Sequence, residues 1–111
     1  MNNQWDLGSE VETIVEFRDK RDWKQYNYPK DLAAAISIEA AELQELFLWK
    51  GQELPDQIAT DSDRMNDISD EIADVAIYLL LLAHDFNLDL REAIIQKIRK
   101  NELKYPLKDM P

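Results

Sequence analysis

The residues of this chain whose types and spacing could do chemistry are acids. Glu39 and Glu42 form one E-x-x-E pair, and Glu71 and Asp74 form an E-x-x-D pair. Three residues apart on a helix is about one turn, so the members of each pair point the same way. At helical spacing Glu39 and Glu42 fall inside the apolar stripe of Leu32, Ala35, Ile36, Ile38, Leu43, Leu46 and Trp49 rather than opposite it. Glu71, Asp74 and Tyr78 share one face, and Ile68, Ile72, Val75 and Leu79 hold the face beside it. A carboxylate on a packing face is costly unless its charge is compensated. The two pairs are therefore expected to meet across a helix–helix contact and to gather a counter-charge. With no Cys and a single His, oxygen donors of this kind suit Mg²⁺, or Mn²⁺, rather than zinc. Asp70 points away from the group, and Glu10 and Glu53 read as ordinary solvated residues.

Other metal and catalytic patterns fail on spacing. A di-iron bundle needs Glu-x-x-His, but Leu81 stands three residues before His84. His84 therefore reads as a helix-end or packing residue. A calcium loop starting at Asp61 would have Met65 at its fifth position, Asn66 in place of Gly and Ile72 in place of the bidentate Glu. There is no Gly-rich phosphate loop and no Ser/His/Asp arrangement in a recognisable context.

Helices must position these acids, since two Gly, four Pro and no alternating strand pattern leave an all-α reading. Ser9 with Glu12 fits a capping box opening a first helix to about Arg21. A second helix is expected from near Asp31 to Trp49, ending before Gly51. A third spans roughly Ser62 to His84, and Asp89 with Glu92 caps a fourth that runs to about Leu103. The segment from Gly51 to Asp61 reads as a loop, and Pro106 and Pro111 mark the tail. The expectation is a four-helix, bundle-like chain forming one domain over 1–111, with its core between about 9 and 106. From Val75 to Ala83 the third helix is apolar nearly all round, which three amphipathic neighbours in so small a chain cannot enclose. A homo-oligomer, dimer or tetramer, should complete the core, and a site could then draw on two subunits.

Charge narrows the partners. The net charge of −10 argues against an electrostatic grip on nucleic acid. Between Asp31 and Asp89 stand 14 acids against Lys50 and Arg64 alone, while basic residues gather at 18–30 and 91–108. That pattern fits either a solvated acidic surface or a cation site to which anion-binding groups are brought from both ends. The nine residues from Val75 to Ala83 are about half a membrane span. The first ten residues lack the basic and apolar regions of a secretory signal. The expectation is a cytoplasmic protein with no membrane partner.

The two acidic pairs, with "FRDKRDW" (17–23), "EAAELQELFLW" (39–49), "DEIADVAIYL" (70–79) and "KIRKNELKYP" (97–106), resemble successive blocks of the MazG-like all-α nucleoside triphosphate pyrophosphohydrolases, and most of all their dCTP pyrophosphatase branch. The resemblance implies hydrolysis of a nucleoside triphosphate between its α and β phosphates, with dCTP-like pyrimidines favoured, as nucleotide-pool house-cleaning. It implies Glu39, Glu42, Glu71 and Asp74 as Mg²⁺ ligands and catalytic groups, one of them taking the proton of the attacking water. Lys97, Asn101, Lys104 and Tyr105 match the family's phosphate-binding tail. Trp23, Trp49 and Tyr78 match residues lining its base pocket.

Two departures stand out. Position 104 is Lys where relatives often have Arg, which keeps charge but gives up bidentate geometry. Ile38 replaces a further Glu that many members carry and that the dCTP pyrophosphatase branch also lacks. Phe17 and Trp5 read more simply as core. The competing reading is a non-catalytic helical interaction module whose acids are plain surface.

Overall fold

The computed structural model describes residues 7–107; Trp5 and Pro111 lie outside the described residues. The all-α expectation holds, with five helices and one 3₁₀ turn and no strand among the described residues. α1 is Gly8–Lys20, followed by a 3₁₀ turn at Lys24–Tyr26; α2 is Pro29–Glu45, α3 Pro55–Ile58, α4 Ser62–Asp85 and α5 Leu90–Lys104.

The ends of these helices differ from expectation for local reasons. Ser9 does not cap α1: its hydroxyl donates to Glu10 Oε2 at 3.0 Å, and the N-cap is Leu7, two residues earlier. α2 starts at Pro29 rather than Asp31, because proline's fixed φ suits the first helical position and its missing N–H is not needed there. It ends at Glu45, four residues short of Trp49, in a turn over 46–49 where Trp49 adopts φ 63°. The expected loop after Gly51 contains α3, held at its start by Leu54 N–H donating to Gln57 Oε1 at 2.8 Å. Asp61 and Asp89 cap α4 and α5 by accepting from Arg64 N–H and Glu92 N–H, so the acids that mimic a calcium loop begin with a helix cap.

α1 and α4 both close in Schellman motifs. In α1, Trp23 N–H reaches Arg18 O at 3.1 Å and Asp22 N–H reaches Asp19 O at 3.0 Å, with Asp22 at φ 56°. In α4, Leu88 N–H reaches Ala83 O and Asn87 N–H reaches His84 O, both at 2.9 Å, with Asn87 at φ 54°. Asn and Asp tolerate this left-handed conformation better than most residues.

α2 lies along α4 as the main packing interface, and α1 packs on α4 less extensively. The core is thin: Leu32, Ile58, Ile68 and Leu81 are its buried apolar residues. Ile38, Ile72 and Leu79, placed by periodicity on packing faces, are exposed, and so is Phe17. α5 buries no residue and leaves Ile94, Ile98 and Leu103 in solvent. The radius of gyration is 17.5 Å, against about 13 Å for a compact domain of this length. No helix of the described residues is long and apolar enough to cross a membrane.

Candidate metal centre

The packing of α2 on α4 brings Glu39, Glu42 and Glu71 together. One carboxylate oxygen from each lies within 4.8 Å of the others. Glu39 and Glu71 are half-buried and Glu42 is exposed. Oε2 of Glu39 and Oε2 of Glu71 are each buried without a hydrogen-bond partner. Buried polar atoms normally have partners, so two orphaned oxygens in one cluster are exceptional.

The electrostatics agree with the geometry. Glu42 has its pKa raised, first by sharing a hydrogen bond with Glu39 and then by the charge of Glu39 and by desolvation. Desolvation chiefly raises Glu71, with the charges of Glu42 and Asp74 adding to it. A hydrogen bond to Glu42 works to lower Glu39, but desolvation together with Glu71 and Asp74 outweighs it and the net shift is upward. Asp74 thus acts on the cluster electrostatically from the next turn of α4, outside the tight oxygen triad. Three carboxylates that resist ionising together, two with unsatisfied oxygens, form a donor set of hard oxygen atoms. Such a set fits a divalent cation of the Mg²⁺ type.

The other residues singled out from sequence stand apart from this triad. Tyr78 is half-buried on α4, two turns beyond Glu71 on the same face. Trp23, just past α1, is partly exposed with Phe17 edge-on at 5.7 Å and the Arg21 guanidinium 3.5 Å from the centre of the Phe17 ring. Phe17 is therefore part of an exposed aromatic–cation cluster and does not belong to the core. Trp49 lies beyond the end of α2, so it does not extend the Glu39/Glu42 face, and it is 98% exposed. Lys97, Asn101 and Lys104 lie on α5, with Asn101 half-buried and both lysines exposed. Tyr105 follows α5, with Lys104 Nζ 5.3 Å from the centre of its ring. Within one chain α5 barely packs on the rest, so these residues are not gathered around the carboxylates.

Residues 34–110 match the MazG-like family, a span that starts within α2 and carries both acidic pairs. This chain belongs to the MazG-like family. Among curated proteins, dCTP pyrophosphatase 1 of Mus musculus is 38% identical over 93 residues, which is 84% of this chain and 55% of that protein. The dCTP pyrophosphatase 1 of Homo sapiens is 36% identical over 92 residues, 83% of this chain and 54% of that one. The chain thus spans about half the length of the curated relatives it matches. The crystal structure of a pyrophosphatase from Archaeoglobus fulgidus is similar with a TM-score of 0.81 at 38% identity, covering 96% of this chain and 98% of that one. The resemblance to the MazG-like family is borne out, and the likeness to the archaeal pyrophosphatase structure extends over nearly the full chain.

Two ion pairs that involve α4 went unread in the sequence. Glu53, taken there for a solvated residue, is half-buried and paired through both oxygens with Arg64, at 2.7 and 3.1 Å. The guanidinium holds the Glu53 carboxyl below the usual carboxylate range. Arg18 is 2% exposed and reaches both Asp85 oxygens, at 3.0 and 2.9 Å. A signal for both was present: Arg64 lies seven residues before Glu71, and Asp85 seven after Tyr78, so all four share one stripe of α4.

Proposed function

We propose that this chain hydrolyses nucleoside triphosphates to the monophosphate and pyrophosphate with a divalent metal, Mg²⁺ or Mn²⁺, and that dCTP-like pyrimidine deoxynucleotides are favoured. The observation that carries this reading is the convergence of Glu39, Glu42 and Glu71 with two orphaned, buried carboxylate oxygens. Membership of the MazG-like family supports the reaction class, and relatives named dCTP pyrophosphatase 1 support the substrate preference.

Glu39, Glu42 and Glu71 would hold the cation, with Asp74 as a fourth ligand. When bound, the cation offsets their mutual repulsion, polarises phosphoryl oxygens and lowers the pKa of an attacking water. One of these carboxylates takes the proton from that water. Trp23, Trp49 and Tyr78 would face the base, and Lys97, Asn101, Lys104 and Tyr105 the phosphates.

A homo-oligomer belongs to this reading. The exposed apolar residues of α2, α4 and α5 need a cover, and α5 holds its phosphate-binding residues away from the triad of its own chain. A second copy, in a dimer or a tetramer, meets both needs.

The test is pyrophosphate release from a panel of canonical and 5-substituted deoxynucleotides with Mg²⁺ or Mn²⁺. Release with a pyrimidine preference is expected. A purified protein that releases none from any of them would sink the enzyme reading and leave the helical interaction module.

A further inference from the structure

Arg18 is the buried charged residue of the described chain, and its two ends do different things. Its carbonyl accepts the Trp23 N–H at 3.1 Å, the long bond of the Schellman motif that closes α1. Its guanidinium reaches across to Asp85, the last residue of α4, which the second Schellman motif finishes. The ion pair therefore joins two capped, turn-locked helix ends and not two mobile side chains. Asp85 continues the stripe of α4 that carries Glu71, Asp74 and Tyr78, with Tyr78 seven residues, about two turns, from both Glu71 and Asp85.

We infer that Arg18 and Asp85 are a positioning pair. Together they set Trp23 at one height along the Glu71–Asp74–Tyr78 stripe, and so fix how far the aromatic stands from the carboxylates. This rests on the reading that Trp23 faces the base while the carboxylates hold the metal. Neither residue touches the substrate; both act through the Trp23 backbone. A pair that only held α1 on α4 would cost melting temperature and leave the kinetics of the folded protein alone.

The experiment compares wild type, Arg18→Lys, Asp85→Asn and Asp85→Glu well below their melting temperatures. Arg18→Lys and Asp85→Asn should raise KM for the preferred deoxynucleotide roughly tenfold with kcat within about twofold, since the metal ligands stay in place. Asp85→Glu, which keeps the charge, should recover most of the loss. Wild-type KM in folded Arg18→Lys and Asp85→Asn, or a fall in kcat at constant KM, would overturn the inference. Should Asp85→Asn not fold, Arg18→Lys and Asp85→Glu carry the comparison.

A second measurement needs no reaction. In a W5F/W49F background without nucleotide, iodide quenching of Trp23 should rise on Arg18→Lys and Asp85→Asn, and unchanged quenching counts against the pair. If wild type releases no pyrophosphate, the reaction reading fails, while the quenching still decides whether the pair places Trp23.

Discussion

Glu39, Glu42 and Glu71 are each held above the ordinary Glu pKa, which ties metal, pH and stability together at this cluster. A carboxylate with a raised folded-state pKa favours the folded state below its unfolded value and loses that contribution as pH rises through the raised value. Metal-free protein should therefore melt at higher temperature as pH falls from neutral toward the ordinary carboxylate range. Glu53 has the opposite sign: its pKa is lowered by Arg64, so its contribution is lost only as pH falls below the ordinary carboxylate range. Saturating Mg²⁺ should raise the melting temperature most at neutral pH and progressively less in acid, as protons compete for the ligands. Glu71→Gln should flatten the metal-free pH slope, raise the metal-free melting temperature by relieving like-charge repulsion and abolish the Mg²⁺ shift. A Mg²⁺ shift that survives in Glu71→Gln would remove this residue from the metal site. Glu42→Ala and Glu71→Ala should each cut pyrophosphate release roughly 10²–10³-fold, the loss expected when a cation's hold on developing charge is broken.

At the scale of elements, the segments that close each helix matter as much as the helices. Trp49 adopts φ 63° with its side chain almost wholly in solvent. Trp49→Gly should relieve that conformation and stabilise the chain by about 1 kcal/mol in chemical denaturation, while raising KM for nucleotide if the ring meets the base. A side chain that cost backbone strain without binding anything would show the first effect and not the second. The Asp89 cap is an ordinary one, and Asp89→Ala should cost about 1 kcal/mol. A cap of this kind was legible in the sequence at Asp89, where a short acid precedes a periodic run, while the cap at Asp61 emerged only in the structure. The same logic failed at Ser9, whose hydroxyl turns to Glu10, and at the end of α2, where Leu46 and Trp49 keep apolar periodicity beyond the last helical residue. Periodicity reports which residues would share a face if the helix continued, and it carries no term for where the chain turns.

For the molecule as a whole, the thin core and the radius of gyration of 17.5 Å describe a chain that has not buried its apolar faces by itself. Light scattering should give at least twice the 13.0 kDa chain mass. Ile38→Glu or Ile72→Glu, each placing a charge on an exposed apolar position, should shift the protein toward monomer; a monomeric wild type would refute the assembly.

The sequence by itself determined the all-α class and the two acidic pairs, because helical period and residue chemistry are local properties written along the chain, and the resemblance of its blocks gave the MazG-like family. Only the tertiary structure decided that Glu39, Glu42 and Glu71 form the tight triad with Asp74 at its edge, and that Arg18 is buried against Asp85. It also decided that Glu53 is paired with Arg64, and that α5 stands off from the carboxylates. Those outcomes depend on the height and angle at which one helix meets another. Packing settles both, and no spacing within a single helix encodes them.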